Sequence, residues 1–251
     1  MSDLAVGTFL FTVLIGSYIQ GVAGFAMGML IIAVMSGFQL IDLYRITAVV
    51  SLLSLVNILL SLHGHYHRVQ GRVLRWLMLG QLPAIVLGVM LLSRLDASES
   101  NLLHGLLGAF IFFGSLSMAL RPRPRKRVSS RPACVAAGVA GGLVGGLFSA
   151  SGPVLGWFSY RQPLSVSEIR ATLLGCFVIT TLMRTLVVGV QGGLTLPVWQ
   201  FSGLGLPLVL LGTWLARQFP PPVSENAMKR SVFLLLLGMG AWILYTALVS
   251  R

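Results

Sequence analysis

Ala140-Gly141-Gly142-Leu143-Val144-Gly145-Gly146-Leu147-Phe148-Ser149-Ala150-Ser151-Gly152-Pro153 is the stretch whose reading decides the fold. It lies in apolar sequence long enough for a membrane helix, yet it collects glycines, two serines and a proline. Glycine frees the backbone and proline removes a donor, so the helix is expected to break inside the bilayer. Broken backbone at membrane depth is tolerated only where protein covers it or water reaches it. Discontinuous helices of this kind form the binding sites of many secondary transporters. The stretch therefore reads as half of a transport site.

Composition agrees. The 251 residues are 56% apolar with a mean hydropathy of +0.89, far above a soluble domain. Repeated apolar runs of about 20 residues predict an all-α polytopic membrane protein. The formal charge is +12. Because the basic residues fall mostly between the apolar runs, the positive-inside rule accounts for them and no nucleic-acid partner is expected. Cys134 and Cys176 lie in or beside apolar helices and imply no disulfide framework. The start carries Asp3 and no Lys or Arg, unlike a secretory signal, so the first segment is expected to be retained.

A second break opens the chain. Leu4 to Ile19 is apolar, Gln20-Gly21-Val22-Ala23-Gly24-Phe25-Ala26-Met27-Gly28 interrupts, and Met29 to Val34 resumes. Apolar segments follow at about Ile41–Leu62, Val73–Leu92 and Leu102–Leu120. After the basic linker Arg121-Pro122-Arg123-Pro124-Arg125-Lys126-Arg127 come Ala133–Phe148 with its break, a short piece to Phe158, then Val166–Val190, Val198–Ala216 and Met228–Val249. The halves resemble each other: Leu82-Pro83 with Gly88 matches Leu206-Pro207 with Gly212 at an offset of 124. Arg45 with Thr47 matches Arg170 with Thr172 at 125, and Ser98-Glu99 matches Ser224-Glu225 at 126. Three matches in one order predict two repeats, residues 1–120 and 132–251, joined by a linker over 121–131.

Charge orients them. With the linker in the cytoplasm and each broken segment returning to the side it came from, the cytoplasmic loops hold Arg68, Arg72, Arg75, the linker cluster, Arg161, Arg170, Arg217, Lys229 and Arg230, leaving Arg45 and Arg94 outside. Each repeat is then a Gly-broken segment, re-entrant or kinked, plus three spans, an odd number, so the two have inverted topology.

On these motifs the chain resembles the sulfite exporter TauE/SafE family of bacterial membrane transporters. Gly141-Gly142-Leu143-Val144-Gly145-Gly146-Leu147-Phe148 followed by Ser151-Gly152-Pro153 is similar to the family's second motif, and Gly21-Val22-Ala23-Gly24-Phe25 with Gly28 to its first. Arg170-Ala171-Thr172 resembles a basic-Ala-x-Thr feature that follows the second. Two departures stand out: Val34-Met35-Ser36 lacks a proline frequent in the family, and Ser149-Ala150-Ser151 replaces a more glycine-rich run. The resemblance implies export of sulfite, organosulfonates or related sulfur-containing acids across a bacterial inner membrane, without enzymatic activity or cofactor.

The residues point to anion binding on their own account. A helix N-terminus offers free N–H groups and partial positive charge. A helix restarting near Pro153 aims these at the break beside Gly146, Ser149, Ser151 and Gly152, and one restarting near Ala26 does so beside Gln20, Gly21, Gly24, Phe25 and Gly28. Arg184 stands in an apolar segment with no carboxylate near in sequence. A cation at the bilayer centre costs at least ~2.5 kcal/mol, which marks it as functional, with snorkelling toward Gln191 as the alternative. Arg45 and Arg170 start spans in corresponding positions and are candidates to guide anions from opposite faces, or to pair with Asp42 and Glu168. Asn57, Thr47, Thr172 and Thr181 either face the cavity or bond between helices.

His63-Gly64-His65-Tyr66-His67 lacks the second cluster a zinc site needs, so no metal is expected. The six carboxylates all lie outside the span interiors, which favours potential-driven efflux over proton coupling. The expected partners are a small anion and the bilayer, and self-association into a homo-oligomer is compatible with the sequence. Competing readings are a carboxylate transporter, a membrane scaffold, and an intramembrane serine protease using Ser151 with His104 as base.

Overall fold

Among the described residues ten α-helices form where the apolar runs lie, and their ends follow local signals. The computed structural model describes residues 3–23, 26–63, 66–98, 100–120, 124–219 and 225–249, with no strand among them. In chain order the helices are α1 (Asp3–Ala23), α2 (Met27–Gly37), α3 (Leu43–Leu62), α4 (Gly71–Ser98), α5 (Ser100–Ala119), α6 (Arg131–Phe148), α7 (Gly152–Tyr160), α8 (Val166–Val190), α9 (Leu196–Gln218) and α10 (Glu225–Val249). Asp42 caps α3 by accepting the Arg45 N–H at 2.8 Å. Ser165 and Glu168 make a reciprocal capping box on α8. Prolines begin α6, α7 and α9, where a missing N–H leaves no bond unmade.

Eight of the described helices are long and apolar enough to cross a membrane; α2 and α7 are not. The chain is a multi-pass membrane protein. Large apolar side chains such as Phe11, Leu87, Phe113, Leu186 and Leu234 stand exposed on its outside, where a bilayer covers them. The first limbs of the broken segments, α1 and α6, are themselves of spanning length. Each is followed by a short limb that turns back. Gly16 on α1 approaches Met27, and Gly141 and Gly145 on α6 approach Leu155 and Ser151.

Helices with corresponding places in the two halves have corresponding neighbours. The starts of α2 and α7, α4 and α9, and α5 and α10 lie 125 positions apart. Helix α1 packs on α9 and α6 on α4, each pair running parallel. Helices α3 and α8 pack antiparallel, as do α5 and α10, where Gly108 meets Leu244 and Gly240 meets Phe112. The α4–α6 contact depends on glycine. A Cβ on Gly138, Gly142 or Gly146 falls 2.1 to 2.5 Å from the carbonyl oxygens of Leu77, Gln81 and Ile85. This small-residue ridge brings two backbones together, as at close helix crossings in membranes.

Candidate functional site

Ser149 ends α6 in the left-handed region, φ 51°, and Ala26 precedes α2 at φ 95°. Both carry a Cβ there, a strain of about 1–3 kcal/mol that recurs at binding sites. Each break is stitched by a polar group. The Ser149 N–H donates to Gly145 O at 2.9 Å, and the Met27 N–H donates to Gln20 Oε1 at 3.1 Å. The breaks then meet: a Cβ on Gly28, in the first turn of α2, sits 3.2 Å from Ser149 O.

Arg184 on α8 reaches this junction and is 1% exposed. Its Nε donates to Gly146 O at 3.0 Å, and its Nη1 donates to Thr47 O at 2.9 Å and to Ser51 Oγ at 2.5 Å. Ser51 Oγ lies 3.0 Å from Ser149 Oγ. The guanidinium thus ties α6 and α8 of one half to α3 of the other. Its Nη2 is buried with no partner among the described residues, and no described carboxylate pairs with it. The carbonyl partners rule out snorkelling, because all three bonds point inward to backbone and hydroxyl at the breaks.

Between the breaks is a small cavity of about 50 Å³, lined by Gln20, Gly28, Met29, Ser54, Ser149, Ser151, Gly152, Thr181 and Arg184 with apolar Ile58, Phe177 and Phe233. The first turns of α2 and α7 both border it. Neither N-cap residue bonds its own first turn through its side chain. The Met27 N–H goes to Gln20, Pro153 has none, and the N–H groups of Gly28, Met29, Gly152 and Val154 lack intrahelical partners. Two helix ends of roughly half a charge each and one guanidinium give the cavity roughly two positive charges.

A second, wider cavity of about 640 Å³ lies at the α3 C-terminus and the α8 N-terminus. Gly21, Ser61, His63, Arg68, Arg170, Leu174, Thr213 and Arg217 line it. Ile58 lies one turn from Ser61 along α3, and Phe177 one turn from Leu174 along α8. Both are buried in apolar clusters and separate this vestibule from the central cavity.

Of the residues expected from sequence, Gln20, Gly28, Ser149, Ser151, Gly152, Thr181 and Arg184 come together at the central cavity. Gly146 joins them through its carbonyl, its α-carbon being spent on the α4 contact. Gly21 and Arg170 lie in the vestibule, where Arg170 Nη2 donates to Gly21 O at 2.5 Å. Arg45 is elsewhere, 59% exposed and 3.1 Å from Asp42. Asn57 bonds between helices instead, its Nδ2 donating to Thr213 Oγ1 at 2.8 Å. Thr172 accepts the Gln70 N–H at 2.9 Å. Gly24 and Phe25 lie outside the described residues, as does the pair Ser98-Glu99 at Glu99. Sequence reasoning missed Ser51 and Ser54. The signal was present, since Thr47, Ser51 and Ser54 recur at i, i+4 and i+7 and form one polar face of α3.

The sulfite exporter TauE/SafE family model matches residues 8–243. A relative from Cupriavidus necator, described as a probable sulfite/organosulfonate exporter TauE, is 39% identical over 233 residues, covering 93% of this chain and 91% of its own length. No solved structure matches the chain significantly.

Proposed function

Because this chain belongs to the sulfite exporter TauE/SafE family, and is therefore a membrane transporter and not an enzyme, we propose that it exports a small sulfur oxyanion, sulfite or a short organosulfonate, across a bacterial inner membrane. The anion binds between the N-termini of α2 and α7, beside Arg184. The observation that carries this reading is that the first turns of two half-helices, neither bonded by its own N-cap side chain, and a buried arginine with one unpartnered Nη2 line one cavity. Such donors and the positive charge favour an anionic acceptor over a cation.

The two halves, residues 1–120 and 132–251, are inverted repeats joined by a cytoplasmic linker over 121–131. Support comes from the 125-residue spacing of helix starts and from the antiparallel run of the corresponding helices α3 and α8, and α5 and α10. The vestibule opens on the linker's side, since Gln70 at the α4 start meets Thr172 and Glu168 at the α8 start. Its three arginines concentrate anions at the cytoplasmic mouth. Replacing exposed Arg68 with Gln is expected to raise KM for efflux about threefold at low salt, with little change in kcat, and the difference shrinks as salt is added. Concentration series at two ionic strengths measure this.

No described carboxylate lines the central cavity, so the transmembrane potential drives export: a negative interior pushes the anion outward. The deciding experiment is flux of sulfite and several organosulfonates from proteoliposomes. Flux should follow a potassium-diffusion potential and ignore a pH gradient imposed at zero potential. Flux that tracks the pH gradient overturns the coupling. Absence of flux with every one of these anions, while carboxylates move, overturns the substrate class.

A further inference from the structure

Gly21 and Gly146 are each the third residue from the end of their helix, α1 and α6, and lie 125 positions apart. So do Arg45 and Arg170, and so do Thr47 and Thr172. Three pairs of identical residues in corresponding places make different contacts in the two halves. On the linker's side Arg170 Nη2 donates to Gly21 O at 2.5 Å, and Thr172 Oγ1 accepts the Gln70 N–H at 2.9 Å. Both bonds cross from the second half to the first. On the other side, the corresponding bonds are not made. Arg45 turns out to Asp42 at 3.1 Å, and Thr47 Oγ1 donates to Tyr44 O in its own turn at 3.0 Å.

The last carbonyls of a helix have no intrahelical partner and carry partial negative charge, so an arginine there holds the helix end in place. Gly146 O lies close to the start of α3: the Arg184 guanidinium that binds it also binds Thr47 O, two residues from Arg45. The geometry points to Arg170 and Arg45 being alternating latches on the two broken helices. Here Arg170 holds the end of α1 at Gly21. In the opposite-facing conformation Arg170 lets go, and Arg45 leaves Asp42 to hold the end of α6 at Gly146. The pair positions the breaks and leaves the anion to Arg184. Repeats with the same residues and different contacts exchange arrangements on switching, the expected route of alternating access in inverted-repeat transporters. The inference rests on the inverted-repeat reading given above.

Ser61→Cys provides a reporter needing no substrate. Its hydroxyl is buried at the vestibule, and the native Cys134 and Cys176 are buried as well, so maleimide labelling of the purified protein follows opening on that side. Arg170→Gln is expected to speed labelling of Ser61→Cys at least fivefold, and Arg45→Gln to slow it at least twofold. Asp42→Asn retains the helix cap while releasing Arg45, and is expected to speed labelling as Arg170→Gln does. Both arginine variants are expected to lower sulfite flux about tenfold, and Arg45→Gln, at a position outside both cavities, to leave sulfite affinity in detergent within twofold. Unchanged labelling in Arg45→Gln, or a shift in the same direction in both arginine variants, overturns the latch. Melting curves identify any variant that merely unfolds, and for such a variant the lysine substitution is expected to restore the wild-type labelling rate; failure to do so counts against the latch. Because labelling needs no transported anion, absent sulfite flux overturns the substrate reading alone.

Discussion

Replacing Arg184 with alanine is expected to abolish anion flux in proteoliposomes, and Arg184→Lys to leave no more than about a tenth of it. The guanidinium makes three hydrogen bonds to α3 and α6 and leaves Nη2 without a described partner. Charge-assisted hydrogen bonds of this kind contribute about 1.5–3 kcal/mol each, so losing the one to the anion alone weakens binding about 10- to 100-fold. Alanine also removes the arginine donor from Gly146 O and from Thr47 O, the latter keeping only the Ser51 hydroxyl as a side-chain partner, and removes the tie between the halves. Lysine restores charge without the planar fork, so it cannot hold both carbonyls and face the cavity together. Binding by calorimetry separates the two effects: Arg184→Lys should retain measurable affinity and lose mainly rate. Wild-type flux in Arg184→Ala would remove the residue from the site and leave the helix N-termini to bind the anion unaided.

The second large effect concerns the ridge under the site. Gly138→Ala and Gly142→Ala place a methyl group 2.1 and 2.4 Å from the carbonyls of Leu77 and Gln81. These are backbone atoms that no rotamer change can move. Overpacking of a fixed contact costs about 1–3 kcal/mol, and here α4 must separate from α6. Both variants should melt about 5 °C or more below wild type in detergent and transport poorly, since Arg184 takes its geometry from Gly146 at the end of the same helix. Gly203→Ala and Gly238→Ala supply the control. Nothing lies within 4 Å of the added atom at either position, so both should melt at or slightly above the wild-type temperature, as expected from alanine's helix propensity.

Much of this arrangement could be read from the sequence because membrane helices obey few rules. Apolar length fixed the spans, and the prolines and glycines at Gln20–Gly28 and Ala140–Pro153 marked the breaks. An arginine in an apolar segment had few explanations, so Arg184 was legible. Arg45 was not. Sequence places it in register with Arg170, but only the packing around the α3 start shows that its side chain turns to Asp42. Asn57 and Thr181 are both polar residues in long spans. Only packing distinguishes the one that meets Thr213 from the one that meets the cavity. The ridge glycines and the break glycines share one run, and only the α4 backbone separates Gly142 and Gly146 from Gly145.

The fixed positive field at the meeting of the two breaks bears on what the protein keeps in. A hydronium or sodium ion entering the vestibule would have to pass a guanidinium and the positive ends of two half-helices. No described carboxylate lines the cavity to offset that charge. On the proposed reading, the arrangement that would admit an anion would also be an electrostatic barrier to protons, as fixed arginines and half-helix dipoles are in water channels. A cell can hold such a protein in its energised membrane without short-circuiting the proton gradient.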